Sequence, residues 1–347
     1  MPRRLALACL LALALVGATG CGGDRTVVRE ESVNVPGGRQ SAREGQGATG
    51  EGPGTPSSAV QIAVVTHGQA SSPFWAIVRN GVEAAARQMD VLVSYRAPDI
   101  FSVDRMRRLI DQAVARRPDG LVVSLPDPEL LPAVRQAVKA GVPVVSINSG
   151  SDVYGSLGVL AHIGQPEDRA GLGAGERLAE AGVRRALCVN LKQRNRGLDA
   201  RCAGLARAMR RVGGTSRVIR VDDQAPGTPR SIAQAVARYG SDGVLALNAT
   251  AGGLALEALG RLEAAGTVKI GTFDLGPVVL DAVRRGKLLF AVDQQPYLQG
   301  YMPVVLLTQR ARYGLFPSQG DVVATGPNFV TRENAGRAIE LSRRSIR

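Results

Sequence analysis

One module occurs twice in this chain, and that echo constrains the fold more than any single motif. The first copy starts at Asp119-Gly120, runs through the apolar stretch LVVSL and continues in a helical pattern to Ala140-Gly141. It closes on VPVVSIN, stopping at Asn148. The second copy starts at Asp242-Gly243, continues VLALN and crosses a helical pattern to Ala265-Gly266. It closes on VKIGTFD, stopping at Asp274. Short apolar runs flanking a helical pattern make each copy a parallel β-α-β unit. Two such units in separate halves predict two lobes of similar build. In both, polar side chains stand where a buried strand runs out: Ser124 and Asn148 in one, Asn248 and Asp274 in the other. Open α/β sheets bind ligands at those carboxyl ends. Two such edges facing each other describe a cleft for a small polar molecule.

The rest of the chain extends the alternation. A strand over 61–65 leads through the loop THGQASSPFW into a helix that Ser72 and Pro73 introduce. Phe74, Ile77, Val78, Val82, Ala85, Ala86 and Met89 keep the spacing of one apolar helix face. A strand over 91–95 and a helix with Met106, Leu109, Ile110, Ala113 and Val114 inward come before the first Asp-Gly module. Ala161-His162-Ile163-Gly164 reads as the crossing into the second lobe, which repeats the pattern up to the second module. The strand LLFAVDQQ and a helix over 297–312 then return to the first lobe. The fold class is α/β, with two doubly wound parallel-sheet lobes. High Ala, Val and Leu content with few aromatics suits parallel sheets covered on both faces.

The first residues read as an export signal. Arg3 and Arg4 precede an apolar run over 5–16, too short to span a bilayer, and Ala18-Thr19-Gly20-Cys21 follows. Small residues ending on a cysteine resemble the lipobox of bacterial lipoproteins, which makes Cys21 the lipidation site. Ala18 departs from the usual Leu, so ordinary signal cleavage stays open. Residues 22–58 are rich in Gly, Ser, Arg, Glu and Pro, and read as a disordered tether reaching about 33 Å.

The formal charge is +13, but the arginines are scattered in ones and twos along helices, with no basic stretch interleaved with aromatics. Together with export, that argues against nucleic acid. Of four cysteines, Cys9 leaves with the signal and Cys21 carries lipid. Cys188 on a strand and Cys202 in the next helix are free to form a disulfide outside the cytoplasm, or to remain two buried thiols. His67 and His162 are the two histidines, and no spacing of His, Cys and carboxylate fits a metal. Nor is there a nucleophile elbow or a readable His–carboxylate pair, so no enzyme and no cofactor are expected. Gly171-Leu172-Gly173-Ala174-Gly175 has the look of a dinucleotide loop, but its spacing is wrong and it lies inside a helical pattern.

Taken in order, the SSPFW loop, Asp199-Ala200-Arg201 ahead of Gly204-Leu205, the TFD strand end and the DQQP strand end make a family pattern. From about residue 60 to 331 the chain resembles the periplasmic sugar-binding proteins of ABC importers, of the ribose-binding type. The resemblance implies the type I periplasmic binding protein fold, with a three-strand hinge. Crossings are expected near residues 162–165, 294–297 and 325–328. Residues 59–162 plus 295–325 would form the N-terminal lobe, 163–294 plus 326–335 the C-terminal lobe, and 336–347 a tail. It also implies a ligand set. Ser72 stands at a polar contact, and Phe74 and Trp75 at the aromatic pair that flanks a sugar ring. Ser124, Asn148, Arg201, Asn248, Asp274 and Gln294 stand at hydroxyl-binding positions. His67 would lengthen the polar edge of the first loop. The ribose-type pattern often has Asp-Arg where this chain has Asn148-Ser149, so another monosaccharide or a polyol is as consistent as ribose. The implied partners are that ligand, a membrane ABC permease and, through the lipid, the membrane itself. The protein is expected to be a monomer in the periplasm or on the outer face of the cytoplasmic membrane. A sensor presenting a sugar to a chemoreceptor or kinase, and a nucleoside binder, are the alternatives.

Overall fold

The computed structural model describes residues 30–35, 59–68, 72–191, 194–260, 267–317 and 320–347. The signal segment, Cys21 and most of the expected tether lie outside the described residues.

The first lobe opens with β1 (Glu30–Val35), β2 (Gln61–Val65), α1 (Pro73–Met89), β3 (Leu92–Pro98) and α2 (Val103–Ala115). It continues with β4 (Gly120–Ser124), α3 (Leu131–Lys139), β5 (Val144–Ile147) and β6 (Ala161–Gly164). The second lobe holds α4 (Glu167–Glu180), β7 (Arg185–Leu191), α5 (Arg196–Arg211), β8 (Thr215–Val221) and α6 (Thr228–Tyr239). Next come β9 (Gly243–Ala246), α7 (Ala249–Gly260), β10 (Lys269–Phe273), α8 (Pro277–Arg284) and β11 (Phe290–Asp293). The chain then returns through α9 (Pro296–Tyr313) and β12 (Asp321–Ala324), and ends in β13 (Asn328–Val330) and α10 (Ala335–Arg343).

Two sheets result, ordered β1-β3-β2-β4-β5-β6-β12 and β13-β11-β10-β9-β7-β8. Only β1 and β13, each at an edge, run antiparallel to their neighbours among the described strands. The chain therefore passes between sheets three times, after β6, after β11 and after β12. Ala161–Gly164, expected as a crossing, is a full strand of the first sheet, and the crossing proper is residues 165–166. Two further expectations are corrected. Glu30–Val35, placed in a tether, pairs with β3, whose outer edge would otherwise present unmatched backbone groups. Residues 336–347, placed in a tail, are largely helix α10, which packs on α8.

The repeated Asp-Gly has a physical reason. Asp119 Oδ2 accepts the backbone N–H of Gln61 at 2.8 Å, and Asp119 N–H donates to Gln61 O at 2.8 Å. Asp242 does the same for the second lobe, with Oδ1 accepting from Arg184 and Arg185 N–H at 3.0 and 2.7 Å. In each lobe the aspartate before a central strand pins the start of the neighbouring strand and so fixes its register.

Helices approach to backbone contact in both lobes. A Cβ on Gly300 of α9 would sit 1.9 Å from Val78 O of α1. A Cβ on Gly171 of α4 would sit 2.1 Å from Arg201 O of α5, and one on Gly204 would sit 2.4 Å from Asp168 O. The Gly171–Gly175 run is thus a helix-packing surface. It sets α4 directly against α5.

Cys188 of β7 and Cys202 of α5 form a disulfide with Cα atoms 5.8 Å apart. It ties α5 to the strand it covers. The closed loop, with a sequence separation of 14, restricts the unfolded chain. Replacing both cysteines by Ala should cost about 3 kcal/mol in urea denaturation. An unchanged midpoint would show that the bridge adds nothing.

Candidate ligand-binding site

The strand ends of the two sheets face one another, and the side chains on them form two polar clusters. The first belongs to the N-terminal lobe. Ser124, fully buried at the end of β4, accepts the backbone N–H of His67 at 2.9 Å, and its Oγ lies 2.8 Å from His67 Nδ1. The His67 ring stands edge-on to Trp75 at 4.8 Å and to Phe101 at 5.9 Å, and Phe74 meets Trp75 edge-on at 5.2 Å. Burial pulls the His67 pKa down to about 3, so the ring is neutral at ordinary pH. Ser124 therefore serves first to hold His67 in place. Ser72 is the residue before α1, half-buried, and its hydroxyl makes no cap bond. Trp75 belongs mainly to the core, while Phe74 is half-buried.

The second cluster spans both lobes. Asn148 Nδ2–H donates to Gln294 Oε1 and Gln299 Oε1, each at 3.2 Å. Gln294 Nε2–H donates to Asp274 Oδ1 at 2.6 Å. Asp274 feels the charge of Arg201. Arg201 is buried, with Nε and Nη2 donating to Glu167 at 2.6 and 2.9 Å and Nη1 donating to Leu247 O at 2.9 Å. Its guanidinium lies over the Phe273 ring, 4.2 Å from the centroid.

Backbone geometry explains why Asn and Asp close the two sequence modules. Asn148 and Asp274 both adopt left-handed backbone, with φ of 61° and 64°. Among non-glycine residues, Asn and Asp tolerate that region best. The chain turns sharply as each strand ends, which leaves these side chains at the cleft edge.

Of the expected ligand residues, the structure gathers Ser124, His67, Phe74 and Trp75 in one cluster and Asn148, Arg201, Asp274 and Gln294 in the other. Asn248 stands apart from both networks. Its Oδ1 caps α7 by accepting from Ala251 N–H at 2.7 Å, and its Nδ2–H donates to Asp223 at 2.9 Å. His162 is a buried residue of β6 bonded to Ser146, and burial lowers its pKa to about 4. Sequence reasoning missed Glu167 and Gln299, which carry no motif. The signal available for Glu167 was its place at the start of a helix just after a strand, four residues before Gly171 of the Gly-rich face.

The lobes also touch at the cleft mouth. Arg196 N–H donates to Pro126 O at 3.1 Å, and Arg196 pairs with Asp152. Arg194 reaches Asp127 at 3.7 Å, and Ser149 Oγ–H donates to Asn195 Oδ1 at 3.4 Å. Among the described residues, no cluster of His, Cys, Asp and Glu could hold a metal, and no helix is long and apolar enough to cross a membrane.

Residues 62–314 match the model of the periplasmic binding protein domain. The chain belongs to the periplasmic binding protein family. A carbohydrate transporter from Acidothermus cellulolyticus, solved in complex with myo-inositol, is similar at 34% identity with a TM-score of 0.77. The match covers 84% of this chain and all of that one. The xylose/arabinose-binding protein XylF of Sulfolobus acidocaldarius is 26% identical over 305 residues, 79% of this chain and 71% of its own. An ABC transporter solute-binding protein from Agrobacterium vitis, bound with α-D-tagatopyranose, shares the fold at 22% identity and a TM-score of 0.70, over 79% of this chain and 95% of that one.

Burial makes Asp274 an uncomfortable residue in this periplasmic binding protein. Desolvation raises its pKa to about 6, against the opposing pull of Arg201 and Gln294. A carboxyl with a folded pKa above its unfolded value stabilises the fold below the unfolded pKa. That contribution is lost as pH rises through about 6. Asp274→Asn keeps the shape and tolerates the left-handed backbone. At pH 4 the variant should match the parent, and at pH 7 it should be more stable by on the order of 2 kcal/mol in urea denaturation. A constant difference across pH would contradict this. Taking the difference between the two proteins removes the contributions of His67 and His162, which are common to both.

Proposed function

We propose that this protein captures a neutral monosaccharide or cyclitol between its lobes and delivers it to an ABC permease, outside the cytoplasm. The observation that carries the reading is the chain Asn148–Gln294–Asp274 with Arg201 beyond it, because it puts hydrogen-bonding groups of both lobes at one place. A ring bearing several hydroxyls matches such a set. Each hydroxyl donates and accepts, and planar groups such as Asp, Asn, Gln and Arg read neighbouring hydroxyls in pairs. Phe74 and the exposed margin of Trp75 supply apolar surface for the ring's C–H face. In a closed cleft each unmatched polar group costs about 1–3 kcal/mol, which rejects the wrong epimer.

Closure follows from the three crossings. Ligand bound to both lobes favours the arrangement in which they meet, and lobe rotation about the crossings releases it. The protein leaves its ligand chemically unchanged. Lipid on Cys21 would hold it at the outer membrane face, where a permease can receive the ligand, and it works as a monomer with one cleft.

The test is a thermal-shift screen of the chain from residue 22 onward. The panel is myo-inositol, D-xylose, L-arabinose, D-galactose, D-ribose, nucleosides and amino acids. A ligand at a hundred times its Kd adds about 2.7 kcal/mol to stability, which lifts the midpoint by several degrees. One sugar or cyclitol should do so, and Gln294→Ala should remove the response. A response confined to a nucleoside or an amino acid would overturn the ligand class.

A further inference from the structure

Glu167 lies outside every ligand position that the sequence pattern implies, yet it is the most heavily engaged carboxylate near the cleft. It is the first residue of α4 and is buried, with 4% of its surface exposed. Oε2 accepts from Arg201 Nε at 2.6 Å and from Gln165 Nε2 at 2.8 Å, while Oε1 accepts from Arg201 Nη2 at 2.9 Å. Gln165 sits in the crossing between the lobes. The helix that carries Glu167 is held at backbone distance from the helix that carries Arg201, through Gly171 and Gly204. The disulfide at Cys202, the residue after Arg201, fixes α5 to its sheet. The fold therefore holds both partners of this ion pair rigidly.

The pair governs what Arg201 can offer a ligand. A guanidinium has five N–H donors. Glu167 takes two and Leu247 O takes one, which leaves two for the cleft, one on each terminal nitrogen. The charge is also spoken for. Glu167 balances it at contact distance, and Asp274 adds further negative charge nearby. A free buried arginine would be a strong carboxylate receptor, since it would present a two-pronged face to an anion. This one gives its Nε–Nη2 edge to Glu167, and the charge that would draw an anion to the two remaining N–H groups is balanced by Glu167 and Asp274.

We propose that Glu167 is a specificity determinant of the cleft. By holding Arg201 bidentately and cancelling its charge, it keeps Arg201 as a donor to neutral hydroxyls and closes the cleft to carboxylated sugars. The inference rests on the reading of the cleft as a sugar or cyclitol site. Glu167 acts through Arg201, as a positioning residue.

The test compares the protein with Glu167→Gln by calorimetry and thermal shift, using myo-inositol, the neutral sugar that responds best and D-glucuronate. In the variant the neutral ligand should bind about tenfold more weakly, because Arg201 loses its charged partner and its orientation. D-glucuronate, inert toward the parent, should now raise the midpoint of the variant. The double variant Glu167→Gln/Arg201→Gln should lose that gain. A folded Glu167→Gln that binds neutral ligand more weakly but takes D-glucuronate no better than the parent would leave Glu167 a purely structural residue and overturn the proposal. Should Glu167→Gln fail to fold, Glu167→Asp keeps the charge and shortens the reach. It should weaken the neutral ligand and still exclude D-glucuronate, and admission of D-glucuronate or an unchanged neutral affinity would overturn the proposal. If the parent responds to no neutral sugar or cyclitol, the reading of the cleft fails. The response of the variant to D-glucuronate, set against that of the parent, then still decides the role of Glu167.

Discussion

The side-chain amide of Gln294 joins the two halves of the molecule. It stands at the second crossing, accepts from Asn148 of the first lobe and donates to Asp274 of the second. Gln299, one turn into α9, braces it by donating to its backbone and side-chain oxygens and to Thr325 at the third crossing. These groups are buried, so each must be matched, and the cost of a missing partner exceeds the gain from any single bond. The amide thus couples the geometry of the crossings to the geometry of the cleft. In the function proposed above, a ligand that competes for Asn148 or Asp274 would act on the crossings through it.

The mouth of the cleft is held quite differently. Arg196 with Asp152 joins the lobes across water-exposed ground, where an ion pair contributes roughly 0–1 kcal/mol and is screened by salt, and the exposed Arg194 reaches the buried Asp127 only at 3.7 Å. Strong, buried coupling at the crossings and weak, exposed coupling at the mouth suit a structure that must open on one side only. The pair of Arg201 and Glu167, within the second lobe, is buried too, and removing one partner would strand a buried charge. Truncating Arg201 therefore strains the fold as well as the site, and softer substitutions report more cleanly on binding.

Much of this was legible in the sequence because it is written in local rules. The paired Asp-Gly sites marked central strands, and the aspartates indeed pin neighbouring strand starts. Asn148 and Asp274 marked the strand ends that reach the cleft. What the sequence hid was long-range or had a second explanation. Asn248 matched a ligand position, and the same residue type is also what a helix start needs, which is the role its side chain fills here. Glu167 looked like an ordinary acid in the first turn of a helix, and only the approach of α4 to α5 gave it a partner 34 residues away. Gly171–Gly175 resembled a phosphate loop because glycine serves both for close backbone approach to a ligand and for close approach of helices. The strand at 30–35 lay in a stretch whose composition spoke only of polarity, and an edge strand needs little apolar content.

The left-handed backbone at Asn148 and Asp274 limits how such a receptor can be retuned. At most places around a binding site, any side chain can be tried. At these two the main chain admits a short alphabet, chiefly Asn, Asp and Gly. Within it, the choices are a group that both donates and accepts, one that only accepts, or nothing. New preferences at the heart of the cleft must come from swaps inside that alphabet, or from residues around it whose backbone leaves them free.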